Sequence, residues 1–119
     1  MWKLEIVEPV RDWLRTLRKE NPRLAREVAG AIDVLMTITP AFHRPLVDSL
    51  AGDTAKSIGL KELRVSGTIR IAFVAHRGTI VLLLSHGDKR NTDSRKFYDG
   101  LIITARERYQ QWLIDKEDE

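Results

Sequence analysis

The chain has 119 residues, 43% of them hydrophobic and 31% charged, with 20 Lys or Arg, 17 Asp or Glu and a formal net charge of +3. That length carries one hydrophobic core and not two. The lack of cysteine excludes a disulfide framework, a thiolate metal site and a thiol nucleophile, and three scattered histidines argue against zinc.

The charge is unevenly spread. Asp115-Lys116-Glu117-Asp118-Glu119 hold four of the acids and one of the bases, so residues 1–114 carry 19 bases against 13 acids, a formal +6. Such a body attracts polyanions, although a solvated basic surface explains it equally well. Glu5, Glu8 and Asp12 stand where a signal peptide needs an apolar core, and no run approaches the roughly 18 apolar residues of a membrane span. A cytoplasmic protein without membrane contact is expected.

In chain order, Trp2–Val7 alternates apolar and charged residues and reads as a half-buried strand added to a sheet edge. Glu8-Pro9 opens a helix with Val10, Trp13, Leu14 and Leu17 inward and Arg11, Arg15, Arg18 and Lys19 outward. Asn21-Pro22 caps a second helix that runs to about Thr39, burying Leu24, Val28, Ile32, Leu35 and Met36 and exposing Arg23, Arg26 and Asp33. The two form an αα-hairpin across one face of the sheet. Residues 40–58 read as a long loop anchored by Leu46, Val47 and Leu50.

Residues 60–90 read as a three-stranded meander with turns at Ser66-Gly67-Thr68 and Arg77-Gly78. That register sets Val65 against Ile69, Leu63 against Ile71, Arg64 against Arg70, Ala75 against Ile80, Phe73 against Leu82 and Ile71 against Leu84. The opposite face then carries Arg64, Arg70 and Ser85 at one end and Ala72, Val74, Val81 and Leu83 at the other. Two arginines across a strand pair repel and need a compensating group. Glu62 would serve in an internal network, and a phosphate would serve in an anion site. His86 is expected beside Leu84 in a buried structural role, and His76 is expected solvated at a turn. Asp93 or Ser94 caps a final helix with Tyr98, Ile102, Ala105, Tyr109 and Trp112 or Leu113 on one face. The expected class is α+β, order β-α-α-β-β-β-α: an antiparallel sheet, an N-terminal helical hairpin on one face and a C-terminal helix. Residues 1–119 form one domain, with the acidic tail 115–119 disordered.

That order resembles the RelE/ParE superfamily of toxins from bacterial type II toxin–antitoxin modules, particularly its HigB-like members. The residues that carry the resemblance are Arg44-Pro45-Leu46-Val47-Asp48, Lys61-Glu62-Leu63-Arg64, Ile69-Arg70-Ile71 with Phe73, Leu82-Leu83-Leu84, Gly87-Asp88-Lys89, and Phe97-Tyr98 with Ile102, Ala105, Tyr109 and Leu113. The resemblance implies a RelE-like fold and a ribosome-dependent mRNA endonuclease in a bacterial cytoplasm. It implies no cofactor or metal. The partners would be mRNA, the ribosome and an antitoxin with a helix-turn-helix DNA-binding domain, through which alone operator DNA is reached. A gyrase-directed ParE-like toxin and a non-catalytic antitoxin- or nucleic-acid-binding module remain alternatives, because fold does not fix activity. For RNA cleavage, Arg64 and Arg70 would clamp the phosphate with Lys89 as a further cation, and Asp88 and Tyr98 would be acid and base. Lys61, Arg44, Lys56 and Arg90 would contact RNA.

Overall fold

The structure, a computed structural model, describes residues 2–38, 47–50, 52–65, 69–87 and 94–117. In chain order these form β1 (Lys3–Ile6), α1 (Glu8–Glu20), α2 (Pro22–Ile38), β2 (Val47–Ser49), α3 (Asp53–Ile58), β3 (Lys61–Val65), β4 (Ile69–His76), β5 (Thr79–His86) and α4 (Ser94–Glu117). The sheet order is β1-β5-β4-β3-β2.

One residue makes the corner of the helical hairpin. The Asn21 N–H closes α1 on the Leu17 carbonyl at 2.7 Å, and its side-chain oxygen accepts the Leu24 N–H at 3.2 Å to open α2. Val10, Val28, Ile32 and Leu35 then pack on Leu63, Val65, Ile69, Ile71, Phe73, Ile80 and Leu82 from the sheet. On the other face, Leu101, Ile102 and Ala105 of α4, with Ala55 and Leu60, cover Ala72, Val74, Val81 and Leu83. The result is three layers with an apolar cluster on each face of the sheet, two cores where the length alone led to an expectation of one. Each fully buried Leu, Ile or Phe adds about 1.5–3 kcal/mol of hydrophobic stabilisation.

The expected loop over 40–58 is, where described, regular structure. Val47–Ser49 pairs with β3 as an edge strand, Val47 opposite Leu63 and Asp48 opposite Glu62. Asp53–Ile58 is a short helix ended by Gly59 at φ +67, whose N–H reaches the Lys56 carbonyl at 3.2 Å while the Leu60 N–H reaches that of Ala55 at 2.9 Å. That pair of bonds is a Schellman motif, and buried Leu60 completes it. Leu46 lies outside the described residues.

The first hairpin register is as expected: Val65 opposes Ile69, Arg64 opposes Arg70 and Leu63 opposes Ile71. Its turn, residues 66–68, lies outside the described residues. In the second hairpin Arg77 and Gly78 both have positive φ, +47 and +81, as a two-residue turn of the primed type requires. Ala75 opposes Ile80 and Phe73 opposes Leu82, but there the register shifts, and Ala72 meets Leu84, Ile71 meets Ser85 and Arg70 meets His86. The expected Ile71–Leu84 pair is therefore wrong by one residue. Leu83 is a bulge that lets both Leu83 and Leu84 pack on the α4 side. Beyond it every β5 side chain changes face, so Ser85 turns to the hairpin side and His86 to the α4 side.

The N-terminal strand also departs from the expected antiparallel sheet. β1 runs parallel to β5, from Lys3 opposite Thr79 to Ile6 opposite Leu82. It is fixed from above by α4. Trp112 Nε1 donates to Glu5 Oε1 at 3.1 Å, and Lys116 Nζ donates to Glu5 Oε2 at 2.7 Å while lying 5.6 Å from the Trp112 ring centre. His76, expected in solvent, belongs to this cluster: its Nδ1 lies 2.8 Å from the Tyr109 hydroxyl and its ring meets Trp112 edge-on at 5.4 Å. Residues 115–117, expected in a disordered tail, continue α4; residues 118–119 lie outside the described residues.

Two glycines should respond oppositely to alanine. Gly30 lies inside α2 with open space where a Cβ would go, so Gly30→Ala should stabilise by about 0.8–1 kcal/mol. Gly59 is left-handed, so Gly59→Ala should destabilise by about 1–2 kcal/mol. Urea midpoints of the two variants against the parent check both signs.

Hydrogen bonding from Lys116 lowers the Glu5 carboxyl pKa below its ordinary 4.5, despite the opposing effect of burial. Stability from a depressed carboxyl is complete above the unfolded value and disappears as pH falls through the folded one. Glu5→Gln should thus cost up to about 1 kcal/mol at neutral pH, the range for partly exposed ion pairs, and progressively less below about pH 4.5. Thermal melts of both proteins across that pH range test it.

Candidate functional site

The polar end of the α4 face is assembled by four strands. Because side chains alternate, Glu62 and Arg64 of β3 share this face. Arg70 of β4 lies directly across from Arg64, and His86 of β5 directly across from Arg70. Asp48 of β2 lies across from Glu62 on the outer side. Tyr98, near the start of α4, closes the row. Asp48, Glu62, Arg64, Arg70, His86, Gly87 and Tyr98 line a cleft of about 190 Å³.

Glu62 is the centre of the network. It is 4% exposed, and a carboxylate at that depth persists only when its oxygens are engaged. His86 Nε2 lies 2.8 Å from Oε2, and Arg70 Nε lies 3.9 Å from Oε1. The other ring nitrogen of His86, Nδ1, donates to the Gly87 carbonyl at 3.0 Å. Arg70 Nη1 donates to the Ile69 carbonyl at 3.0 Å. Phe97 and Tyr98 pack their rings nearly perpendicular to the imidazole, 5.2 and 6.2 Å between centres. Both nitrogens of His86 thus face oxygens, so the ring is held between Glu62 and the Gly87 carbonyl and orients the carboxylate.

The two arginines are therefore not equivalent. Arg70 is partnered by Glu62, as an internal network requires. Among the described residues no hydrogen bond or ion pair holds the Arg64 guanidinium, which lines the cleft half-exposed. Formal charges of Arg64 and Arg70 balance those of Asp48 and Glu62, so the pocket is dipolar, with its cations on β3 and β4 and a carboxylate on the β2 side. An anion entering it meets Arg64, with Asp48 across the cleft.

Of the residues expected from the sequence, Arg64, Arg70 and Tyr98 converge in the cleft. Lys61 does not: three residues from Arg64, it alternates onto the hairpin face beside Leu63. Lys56 is exposed on α3 and does not line the cleft. Arg44, Asp88, Lys89 and Arg90 lie outside the described residues, although Gly87, immediately before Asp88, is on the rim. Sequence reasoning missed His86 as a cleft residue because alternation carried through an unseen bulge puts it on the wrong face. It missed Asp48 because β2, only Val47-Asp48-Ser49, was read as loop.

Residues 12–110 match the family described as phage-derived protein Gp49-like. The chain is 34% identical over 112 residues to the candidate toxin HigB3 of Mycobacterium tuberculosis, a match that covers 93% of each chain. Among solved structures, the YoeB-YefM complex from Staphylococcus aureus matches with a TM-score of 0.59 at 7% identity, over 72% of this chain and 95% of that one. The YoeB/ParE toxin from Agrobacterium tumefaciens matches at 0.58 and 17% identity, over 72% and 98%. At such low identities these structures speak for the fold alone. The sequence matches along nearly the whole length place the chain in the Gp49-like family, as a HigB-like toxin, and the structures add that its fold is shared with YoeB/ParE toxins.

Proposed function

We propose that this toxin is a ribosome-dependent mRNA endonuclease that acts by attack of a ribose 2′-hydroxyl on the adjacent phosphate. The observation that carries the reading is the Arg64–Arg70 pair at the mouth of a cleft also lined by Tyr98 and a carboxylate. In this step the 2′-oxygen forms a bond to phosphorus and the bond from phosphorus to the 5′-oxygen breaks, leaving a 2′,3′-cyclic phosphate and a 5′-hydroxyl. Arg64 takes a non-bridging oxygen, and Arg70, held by Glu62, supplies the second cation as charge builds on the phosphate. Asp88, next to the rim residue Gly87, takes the 2′-OH proton, with Asp48 as the carboxylate across the cleft that competes for this role. Tyr98 gives a proton to the leaving 5′-oxygen, and Lys89, two residues after Gly87 in the sequence, adds positive charge. The chemistry needs no metal or cofactor.

Glu62 and His86 are engaged with each other, which agrees with an enzyme that cuts only when the ribosome presents mRNA in the attacking geometry. An antitoxin with a helix-turn-helix DNA-binding domain is the proposed partner, and operator DNA is reached only through it. One fold neighbour is itself a complex, YoeB-YefM.

Inducible expression with transcript-end mapping tests the reading, and cut ends should cluster within translated codons. Arg64→Ala and Arg70→Ala should each lower cleavage by about a hundredfold to a thousandfold, the usual loss for one oxyanion contact, and abolish growth arrest with an unchanged circular dichroism spectrum. Of Asp48→Asn and Asp88→Asn, the second should be the more damaging. Intact transcripts with DNA-damage signalling would overturn the reading in favour of gyrase, and a toxic Arg64→Ala variant would remove the clamp.

A further inference from the structure

Leu83 has no partner in the β4 register, since Phe73 pairs with Leu82 and Ala72 with Leu84. A bulge leaves its added residue outside the ladder, and a buried carbonyl there must find a donor elsewhere. Leu83 is fully buried, and β5 lies between β1 and β4. Its carbonyl accepts a hydrogen bond from Arg108 Nη1 at 2.9 Å, across 25 residues of chain and from the α4 layer. Arg108 is half-buried, and desolvation draws its guanidinium below the usual arginine range. Among the described residues no carboxylate pairs with it. A partly desolvated guanidinium without a counter-ion is costly on an exposed helix face, and its one visible role here is to serve the bulge.

We propose that Arg108 is a positioning residue for the cleft: by holding the Leu83 carbonyl it keeps the β5 bulge in register, and the bulge keeps His86 on the α4 face. There His86 engages Glu62, and Glu62 sets Arg70. Without the bulge, alternation returns His86 to the hairpin face and leaves a buried carboxylate with one partner fewer. Arg108 touches neither substrate nor the cleft, whose lining does not include it. The activity arm of the test rests on the nuclease reading, whereas the geometric arm does not.

His76 and His86 make the test internal, because both pack against α4, at opposite ends of its covered face. Ring resonances of the two histidines are recorded by nuclear magnetic resonance in the full chain and in Arg108→Met, which keeps the apolar stem and removes the donors. The His86 signals should move while those of His76 stay. On ribosome-bound mRNA, kcat should fall by about a hundredfold with KM unchanged, the loss that follows a misplacement of about 1 Å. Arg108→Lys, which retains a donor of similar reach, should recover most of that loss. Arg108→Gln, polar but too short for the carbonyl, should behave as Arg108→Met and decides the matter if the methionine variant does not fold. Unmoved His86 signals, or signals of both histidines moving together as α4 loosens, overturn the proposal. Displaced His86 signals in a protein whose parent cuts no mRNA would sustain the positioning role and sink the nuclease.

Discussion

A nearly buried carboxylate governs this molecule. Glu62 sits in β3 with its oxygens turned to side chains from β4 and β5, so one acidic group cross-links three strands by their side chains as the ladder does by their backbones. The ion pair with Arg70 is long at 3.9 Å, and the contact with His86 at 2.8 Å is the tighter of the two. Burying such a group gives little net stability, since desolvation offsets the attraction, but removing a partner from it is expensive, about 3–5 kcal/mol in comparable pairs. The network therefore specifies an arrangement more than it strengthens the fold. What it specifies is the direction of Arg70.

The α4 face of the sheet is divided accordingly. Ala72, Val74, Val81 and Leu83 are dry and lie under Leu101, Ile102 and Ala105. Past Leu84 Arg70 of β4 and His86 of β5 lie beside Glu62 and Arg64 of β3, and α4 contributes Phe97 and Tyr98 instead of aliphatic side chains. The far end of the helix is fixed independently through His76, Tyr109, Trp112 and Glu5. Anchored at both ends, α4 acts as a rigid lintel over the sheet, and the cleft opens where the apolar packing stops.

Much of this was legible in the sequence because it follows from local chemistry. Asn21-Pro22 announces a helix corner, Arg77-Gly78 a tight turn, and the apolar alternation of residues 61–76 fixes the pairing of Arg64 with Arg70. The errors also have physical causes. A bulge adds one residue without any signature in composition, because Leu83 and Leu84 fit either face equally well, and the error then carries to Ser85 and His86. β2 has three residues, too few for periodicity to separate it from loop. For α3 a signal existed, Gly59 followed by apolar Leu60, the ending of a helix with a left-handed cap. Lys61 was grouped with Arg64 by closeness in sequence, although in a strand an odd separation means opposite faces. Direct contacts between residues 5, 76 and 112 join segments too distant for any local pattern to link them.

The parallel pairing of β1 with β5 has a temporal side. Lys3 and Glu5 are made before their partners: Thr79 follows Lys3 by 76 residues, and Lys116 follows Glu5 by 111. Until β5 leaves the ribosome the first strand has no partner to pair with, and contacts of such separation form slowly. The nascent polypeptide consequently carries β1 as an open edge until β5 is made, and only α4 completes its anchorage through Glu5.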